Sequence, residues 1–183
     1  MKAGRIVCKF FARDKHEVIL RTPKWQDLDD LLEIINSLVE EKADIVIAEK
    51  VSRLEEIDWL ARGLSSLKGN EVFYLVAEAH GKVVANSEIG RGRGGYDGHV
   101  DGMGIAIREG FRDIGIGTEI MKTHVEQAKK TGLKVLTLSA FATNDRAIHL
   151  YRKIGFTETG RVPRKHFRDG KFIDEVIMTM LLE

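Results

Sequence analysis

The sequence predicts one α/β (α+β) domain, built on a mixed, mostly antiparallel sheet of about seven strands with about four helices. Two observations carry this prediction. Short apolar runs rich in β-formers alternate with longer segments in which apolar residues recur at helical spacing. The chain has 183 residues, which is long enough for one well-buried core and short for two. We therefore expect a single domain over residues 1–183.

Composition narrows the class of protein. Apolar residues make up 43% and charged residues 31% of the chain, which is typical of a globular protein. The net charge of +1 gives no electrostatic reason to expect a nucleic-acid or membrane partner. Cys8 is the only cysteine, and the N-terminus lacks a signal-peptide core. We therefore expect a cytoplasmic protein.

The N-terminal third contains a predicted hairpin and two predicted helices. The polar segment Asp14-Lys15-His16 lies between the apolar runs 6–11 and 18–20, so the two runs can pair as antiparallel strands. An apolar stripe starts after Asp27 and predicts a helix to about residue 42. Ser52 with Glu55 three residues later is a capping box that starts a second helix.

A second strand pair follows, with a glycine-rich segment after it. Residues 72–78 and 82–88 predict antiparallel strands around the tight turn His80-Gly81. Residues 90–98 contain five glycines and two arginines. We interpret this segment as a hairpin loop, and a phosphate cradle or a short RNA-binding element are the alternatives.

The centre of the chain is a strand, a glycine turn and an amphipathic helix. Residues 99–108 predict a buried strand, and Gly115 and Gly117 precede apolar residues at helical spacing. Another strand is predicted at 133–141, and Thr143 or Asn144 then caps a helix that ends before Gly155. Two final strands, 156–162 and 172–182, surround an Asp-Gly turn. The strands at 99–108 and 133–141 should be parallel.

Two glycines at a helix start suit an anion such as a pyrophosphate. Glycines let a ligand approach the backbone closely. The free N–H groups at the helix N-terminus and the positive end of the helix dipole then attract an anion. No Gly-Lys-Ser/Thr closes the segment, so it is not a nucleotide P-loop. It also lacks the third glycine of the dinucleotide fingerprint.

Two motifs in order give a more specific interpretation. Arg112-x-x-Gly115-x-Gly117 and Asn144-x-x-Ala147-x-x-x-Tyr151-x-x-x-Gly155-Phe156 lie about 30 residues apart. Together they resemble the GCN5-related N-acetyltransferase superfamily. The resemblance is specific in the core, residues 99–156, and makes residues 1–16 an N-terminal extension. It implies that the two parallel strands splay apart and that the pantetheine of acetyl-CoA lies between them.

The resemblance also implies which residues bind acetyl-CoA. Main-chain groups of the central strand would pair with the pantetheine, and backbone N–H groups of the glycine turn, with the Arg112 side chain, would bind the diphosphate. Asn144 and Tyr151 would contact the pantetheine and the thioester. The implied cofactor-binding residues are Ile105, Ala106, Ile107, Arg112, Asp113, Ile114, Gly115, Ile116, Gly117, Thr118, Asn144 and Tyr151.

Acetyl transfer to an amine also needs an acid and a base. Tyr151 matches the tyrosine that many family members use as the general acid, and a phenol is suited to protonating a thiolate. For the base, Asp101 is the first candidate by position, Glu88 the second and His99 a further one, while an ordered water is the alternative. The histidines show no zinc-ligand spacing, so no metal site is expected.

The expected function is an N-acetyltransferase that moves an acetyl group directly to a primary amine. The acceptor is either a small-molecule amine or a protein N-terminus, and residues 43–51 are a candidate specificity loop. The basic segment 161–168 favours an acceptor with a carboxylate or phosphate, unless it is only a solvated hairpin edge. The alternative function is a non-catalytic acyl-CoA-binding module. The family commonly dimerises, so a homodimer is also expected.

Overall fold

The computed structural model describes residues 1–90 and 94–183. Over these residues the chain forms one eight-stranded sheet in the order β1-β2-β3-β4-β5-β6-β8-β7. The strands are β1 (Ile6–Phe11), β2 (Glu17–Arg21), β3 (Val72–Ala79), β4 (Lys82–Gly90), β5 (Val100–Ile107), β6 (Val135–Phe141), β7 (Thr157–Arg168) and β8 (Lys171–Leu181). The helices are α1 (Leu28–Glu40), α2 (Arg53–Gly69), α3 (Ile116–Lys130) and α4 (Asp145–Ile154).

The predicted fold class is confirmed. The sheet is mixed, because β5 and β6 are parallel while the other paired strands described are antiparallel. It has one strand more than the expected seven, because the N-terminal run forms the edge strand β1 against β2. The predicted hairpin of residues 6–20 therefore exists, and it extends the sheet at the edge far from β6–β8.

The helices lie on both faces of the sheet. Val76 of β3 packs with α1 and α2, whereas its neighbours Leu75 and Ala77 pack with residues of α3. This alternation follows from the two-residue period of side chains along a strand. We call the two sides the α1–α2 face and the α3–α4 face. In the described residues no helix is both long and apolar enough to cross a membrane.

Two boundaries differ from the sequence predictions. Helix α1 ends at Glu40 rather than at about residue 42, which leaves residues 41–46 as a segment without helix. Strand β7 continues to Arg168 rather than ending at 162. A register shift between Val162 and His166, with Arg164 at a φ of +54°, bends the strand and lets its pairing with β8 resume. The basic segment 161–168 is thus part of the sheet.

The glycine-rich segment joins β4 to β5, as the hairpin interpretation predicts. Arg91, Gly92 and Arg93 lie outside the described residues. Beyond them, Gly95–Asp97 form a single 3-10 turn, and Tyr96 is fully exposed. The next element is β5, a strand.

Candidate active site

The central feature of the site is a cleft between β5 and β6. These strands pair only over residues 100–102 and 135–137, and they diverge after that point. The edges beyond have main-chain N–H and C=O groups that lack a strand partner across the gap. A cavity of about 1160 Å³ fills this gap, lined by residues 103–107 of β5 and 139–141 of β6. An extended amide-containing ligand can pair with such an edge.

The start of α3 closes one end of the cleft. Gly115 caps the helix at a φ of +102°, a backbone conformation that residues with side chains rarely adopt. At Gly117 an added Cβ would lie 3.0 Å from Leu150 Cδ2 and 3.1 Å from Ile107 Cδ1. Gly115 is therefore favoured by its backbone conformation, and a side chain at Gly117 would require two neighbouring methyl groups to shift. Gly115, Gly117 and Thr118 line the cavity, so the first turn of α3, whose N–H groups have no helical acceptor, begins beside it.

Arg112 lines the same end and is held by carboxylates. Its Nε donates to the carbonyl of Ile107 at 2.9 Å. Its two terminal nitrogens pair with Glu109 at 2.5 Å and with Glu41, which follows α1. Neighbouring Asp113 pairs with Arg146 of α4 at 2.6 Å. A phosphate that binds here competes with Glu41 and Glu109 for the Arg112 guanidinium.

The remaining predicted residues of the glycine turn divide into two groups. Asp113 and Thr118 line the cavity with the two glycines. The side chains of Ile114 and Ile116 instead pack into the apolar cluster formed by β2, β3 and β4. These two residues anchor the turn to the sheet, so any ligand contact they make is through the backbone.

Several residues of α4 line the cavity, beginning with its N-cap. Asn144 is the N-cap, and its Oδ1 accepts from the N–H of Ala147 at 3.1 Å. The cap interpretation and the ligand-contact interpretation are compatible, because the side-chain NH2 can still donate into the cavity. Lys153 also lines the cavity, whereas Arg152 pairs with Glu158. Of these two basic residues, Lys153 is therefore the one placed to meet a ligand phosphate.

Tyr151 lines the cavity seven residues after Asn144, so the two side chains share one side of the helix. The tyrosine is 7% exposed, and burial raises its pKa to about 12. The phenol therefore stays protonated at neutral pH and can give up a proton only to a basic group beside it. A general acid must start protonated, but a pKa above that of an exposed phenol makes the proton harder to give up, and the role of Tyr151 as the acid stays a prediction.

The predicted base candidates lie beside the cavity rather than in its lining. Glu88 of β4 is opposite Gly104 of β5, which lines the cavity and leaves open space where a Cβ would be. Loss of hydration, and next the charge of Asp101, raise the pKa of Glu88. Asp101 Oδ1 accepts from the N–H of Gly102 at 2.7 Å, and His99 is exposed. Their role as base stays a prediction.

The far end of the cavity is assembled from residues that were not singled out from sequence. Ser139 and Phe141 of β6 and Glu175 of β8 line it, and His166 of β7 stacks on Phe141 with ring centroids 3.8 Å apart. One signal was present in the sequence. Glu175 is an acidic residue next to the apolar run 176–178, which is unusual within a strand.

A segment after α1 covers this end of the cavity. We call residues 42–46 the strap. Arg168 of β7 pairs with Asp44 at 2.6 Å and also donates to the carbonyls of Lys42 and Ala43. Thr143 donates to Asp44 at 3.1 Å, and Lys42 pairs with Asp169. The strap overlaps the first four residues of the predicted specificity loop, residues 43–51, and begins one residue before it.

Among the described residues, no group of three or more His, Cys, Asp or Glu side chains is arranged to hold a metal ion. The cleft instead offers strand edges, a helix N-terminus, a protonated phenol and a carboxylate.

A splayed pair of parallel strands leading to a helix N-terminus is the arrangement that the sequence resemblance implied for the acetyltransferase superfamily. The sequence profile described as the Acetyltransferase (GNAT) family matches residues 29–156. The chain therefore belongs to the GNAT acetyltransferase family. This is the superfamily that the two sequence motifs resemble.

Several curated relatives carry acetyltransferase names. The L-amino acid N-acyltransferase MnaT of Escherichia coli is 24% identical over 90% of this chain and 94% of its own length. An N-alpha-acetyltransferase of Sulfurisphaera tokodaii is 32% identical over 57% of this chain and 68% of its own. A Pseudomonas aeruginosa L-methionine sulfoximine/L-methionine sulfone acetyltransferase is 26% identical over 60% of this chain. The match spans 64% of that relative's length.

Solved structures share the fold. An N-acetyltransferase from Staphylococcus aureus Mu50 superposes with a TM-score of 0.81 at 20% identity, covering 91% of this chain and 99% of that one. The yncA protein of Salmonella typhimurium, solved with acetyl-CoA, gives a TM-score of 0.78 at 22% identity, with 91% and 94% covered. At these identities the likeness shows the fold alone.

Proposed function

We propose that this protein transfers the acetyl group of acetyl-CoA to a primary amine in a ternary complex. The observation that carries the proposal is the cleft between β5 and β6, which leads from the N-terminus of α3 to the phenol of Tyr151. Acetyl-CoA is the co-substrate and supplies an activated acetyl thioester. The chain supplies strand edges for its amides, backbone N–H groups for its diphosphate and Tyr151 as the proton donor.

Direct transfer is favoured over an acetyl-cysteine intermediate. Cys8 is the only cysteine of the chain, and it lies on the edge strand β1 away from the cavity lining. Burial raises the pKa of the Cys8 thiol, which lowers its thiolate fraction at neutral pH. In the sheet order, strands β2, β3 and β4 separate Cys8 on β1 from the cleft strand β5, so a cysteine at this position is poorly placed to receive the acetyl group.

The acceptor is a primary amine on a small molecule or on a protein N-terminus. The relatives named above act on amino acids or on N-alpha groups, which supports both classes. The proposal also treats residues 1–183 as one catalytic domain of a cytoplasmic homodimer without nucleic-acid or membrane partners. Size-exclusion chromatography with light scattering tests the dimer.

Thermal unfolding with acetyl-CoA tests the co-substrate, with ATP and NAD as controls. A ligand at about 100 times its dissociation constant adds roughly 2.7 kcal/mol, or about 5–11 °C for a chain of this size. A shift with acetyl-CoA alone supports the proposal. No shift at millimolar acetyl-CoA contradicts it.

Thiol release then tests turnover. The amine panel contains the free L-amino acids, L-methionine sulfone, a diamine and peptides that start with Ala, Ser or Met. Release with one amine and not with its N-blocked form identifies transfer to that amine. A thermal shift without release from any amine would favour the alternative, a non-catalytic acyl-CoA-binding module.

A further inference from the structure

Two strands present polar side chains to the α1–α2 face at the far end of the cavity. Leu138 and Ala140 of β6 and Val176 of β8 pack into the core on the α3–α4 face. Because side chains alternate along a strand, Ser139 and Glu175 point to the opposite face. Tyr151 belongs to the same core as Leu138, so it approaches the cleft from the α3–α4 side. A group held between β5 and β6 has the phenol on one side and Glu175 on the other.

The Glu175 carboxylate is partly buried, lines the cavity and is available to bind a ligand. Its side chain is 15% exposed and lines the cavity. Oε1 accepts one hydrogen bond, from Ser139 Oγ at 3.0 Å. Oε2 forms an ion pair with Lys165 Nζ at 3.8 Å, and Oε1 lies 3.7 Å from His166 Nε2, which pairs with it only when the imidazole is protonated. Both distances are too long for hydrogen bonds.

The described basic groups around Glu175 make no short hydrogen bond to its carboxylate. The facing charged and titratable groups are Lys165 and His166 of β7, and the Lys165 side chain is half exposed. Arg168, the next basic residue along β7, is already paired with Asp44 of the strap. Short hydrogen bonds from a cation offset the free-energy cost of partly burying a charged carboxylate. None of the facing groups does so in this arrangement.

We propose that Glu175, oriented by Ser139, binds the acceptor's ammonium group and takes its proton. This inference rests on the proposed function and assigns its acceptor subsite. The ammonium loses one proton to the Glu175 carboxylate, and the amine nitrogen then forms a bond to the thioester carbon. The carbon–sulfur bond breaks, and the departing thiolate receives the proton of Tyr151. The acetylated nitrogen then loses its second proton, which restores the Tyr151 phenol through water. The products are the acetylated amine and CoA, and Glu175 returns its proton to water.

Three variants test this assignment with the amine of the panel that the wild-type protein acetylates fastest. Glu175→Gln removes the charge and keeps the shape, and we expect kcat/KM for the amine to fall about 100-fold. The KM for acetyl-CoA should stay within about twofold, because Glu175 lies at the other end of the cavity from the glycine turn. Glu175→Asp keeps a shorter carboxylate, and we expect it to recover part of the loss.

Glu158→Gln is the matched control. Glu158 lies on β7, is 29% exposed, pairs with Arg161 and Arg152 and does not line the cavity. We expect its turnover to stay within about twofold of the wild type.

A binding measurement adds a readout that does not depend on turnover. With saturating CoA present, the same amine should raise the unfolding temperature of the wild-type protein further. We expect Glu175→Gln to keep the shift caused by CoA and to lose the additional shift caused by the amine. Ser139→Ala should reduce the additional shift, because Glu175 loses its orienting hydrogen bond.

Each outcome decides the assignment. If Glu175→Gln turns over the amine within threefold of the wild type, the inference is overturned while the proposed function stands. If that variant loses the shift caused by CoA, Glu175 acts on the fold or on co-substrate binding, and the inference is again overturned. If the wild-type protein acetylates no amine of the panel, the proposed function fails and the inference fails with it.

Discussion

The two ends of the cleft are built in different ways. The co-substrate end comes from one continuous stretch, β5 through the first turn of α3, with Asn144 and Tyr151 added from α4. The acceptor end draws single residues from the strap, β6, β7 and β8. Asp44 and Arg168 are 124 residues apart in the chain, and Ser139 and Glu175 are 36 apart. The first end depends on the backbone geometry of the glycine turn, with Arg112 paired to Glu41 and Glu109 beside it, whereas the second depends on side-chain contacts between separate elements. Backbone geometry is local and rigid, whereas surface ion pairs are worth little individually.

This difference predicts that the two ends respond differently to mutation. Changes at the co-substrate end should alter acetyl-CoA binding for every acceptor. Changes at the strap should alter the acceptor alone. Tyr151 lies where the ends meet and should affect the chemical step most.

Tyr151→Phe should cause the largest loss. Removing the phenolic hydroxyl, and with it the proton that it donates, should lower kcat about 100-fold or more. This is the usual contribution of a positioned general acid. The acetyl-CoA dissociation constant, measured by calorimetry, should change little, since the ring remains. Tyr74→Phe is the matched control, because Tyr74 is buried but does not line the cavity.

The pH profile checks the same role. Since burial raises the Tyr151 pKa to about 12, the active protonated form persists well above pH 10. We therefore expect no fall of kcat between pH 8 and about 10.5 that depends on Tyr151. A fall in that range that Tyr151→Phe abolishes would contradict the assignment.

Gly117→Val should cause the next largest effect. The added atoms would press on Leu150 and Ile107, and overpacking of this kind typically costs about 2 kcal/mol. If that cost is paid in co-substrate binding, the acetyl-CoA dissociation constant rises roughly 30-fold. Gly160→Ala is the control, because an added Cβ there meets only Ile177 at an ordinary 3.9 Å. Equal binding by both variants would show that the glycine turn does not hold acetyl-CoA.

Asp44→Ala should have a smaller and more selective effect. Without the Asp44 carboxylate, the strap loses its ion pair with Arg168 and its hydrogen bond from Thr143, and it keeps the hydrogen bonds from Arg168 to the carbonyls of Lys42 and Ala43. We expect the acceptor KM to rise about fivefold with kcat nearly unchanged, which corresponds to roughly 1 kcal/mol of binding. The KM for acetyl-CoA should not change.

Asp29→Asn removes the exposed pair with Arg53 away from the cavity and is the control for the strap. A change in the acetyl-CoA KM of Asp44→Ala as large as that in the acceptor KM would mean that the two ends are not independent.

Glu41→Gln should have the smallest effect, and in the opposite direction. Removing this carboxylate frees Arg112 for a phosphate and removes a repelling charge. We expect acetyl-CoA to bind about threefold more tightly, within the usual range for a partly exposed ion pair. Glu40→Gln breaks the adjacent pair with Lys50 and should leave the affinity unchanged. Weaker binding by Glu41→Gln would show that Glu41 orients Arg112 rather than competing for it.

The helices and strands were largely predictable because their signals are local. The capping box of Ser52 and Glu55 is present as predicted, and Asn144, one of two predicted caps, is the N-cap of α4. The errors in boundaries occurred where tertiary contacts decide. Helix α1 stops early where Glu41 meets Arg112, and β7 continues past its bend because β8 offers a partner.

The placement of the base could not be read from sequence. Glu88 and Asp101 were chosen because they fall near the ends of the two strands expected to flank the acceptor pocket, and they lie beside the cavity rather than in its lining. Glu175, about 70 residues further on, lines it. Which acidic side chain reaches a cavity depends on strand order and on the face to which each residue points. A shift of one residue in register would reverse that face.

By itself the sequence determined the family, the glycine turn and the two α4 residues, because each depends on spacing within a single strand, turn or helix. The tertiary structure decided the acceptor end. There β8 inserts between β6 and β7, which brings Glu175 beside Ser139, and Arg168 ties the strap across the opening. The physical reason is that local backbone preferences act over a few residues, whereas a site assembled from separate strands exists only once the sheet has fixed its order and register.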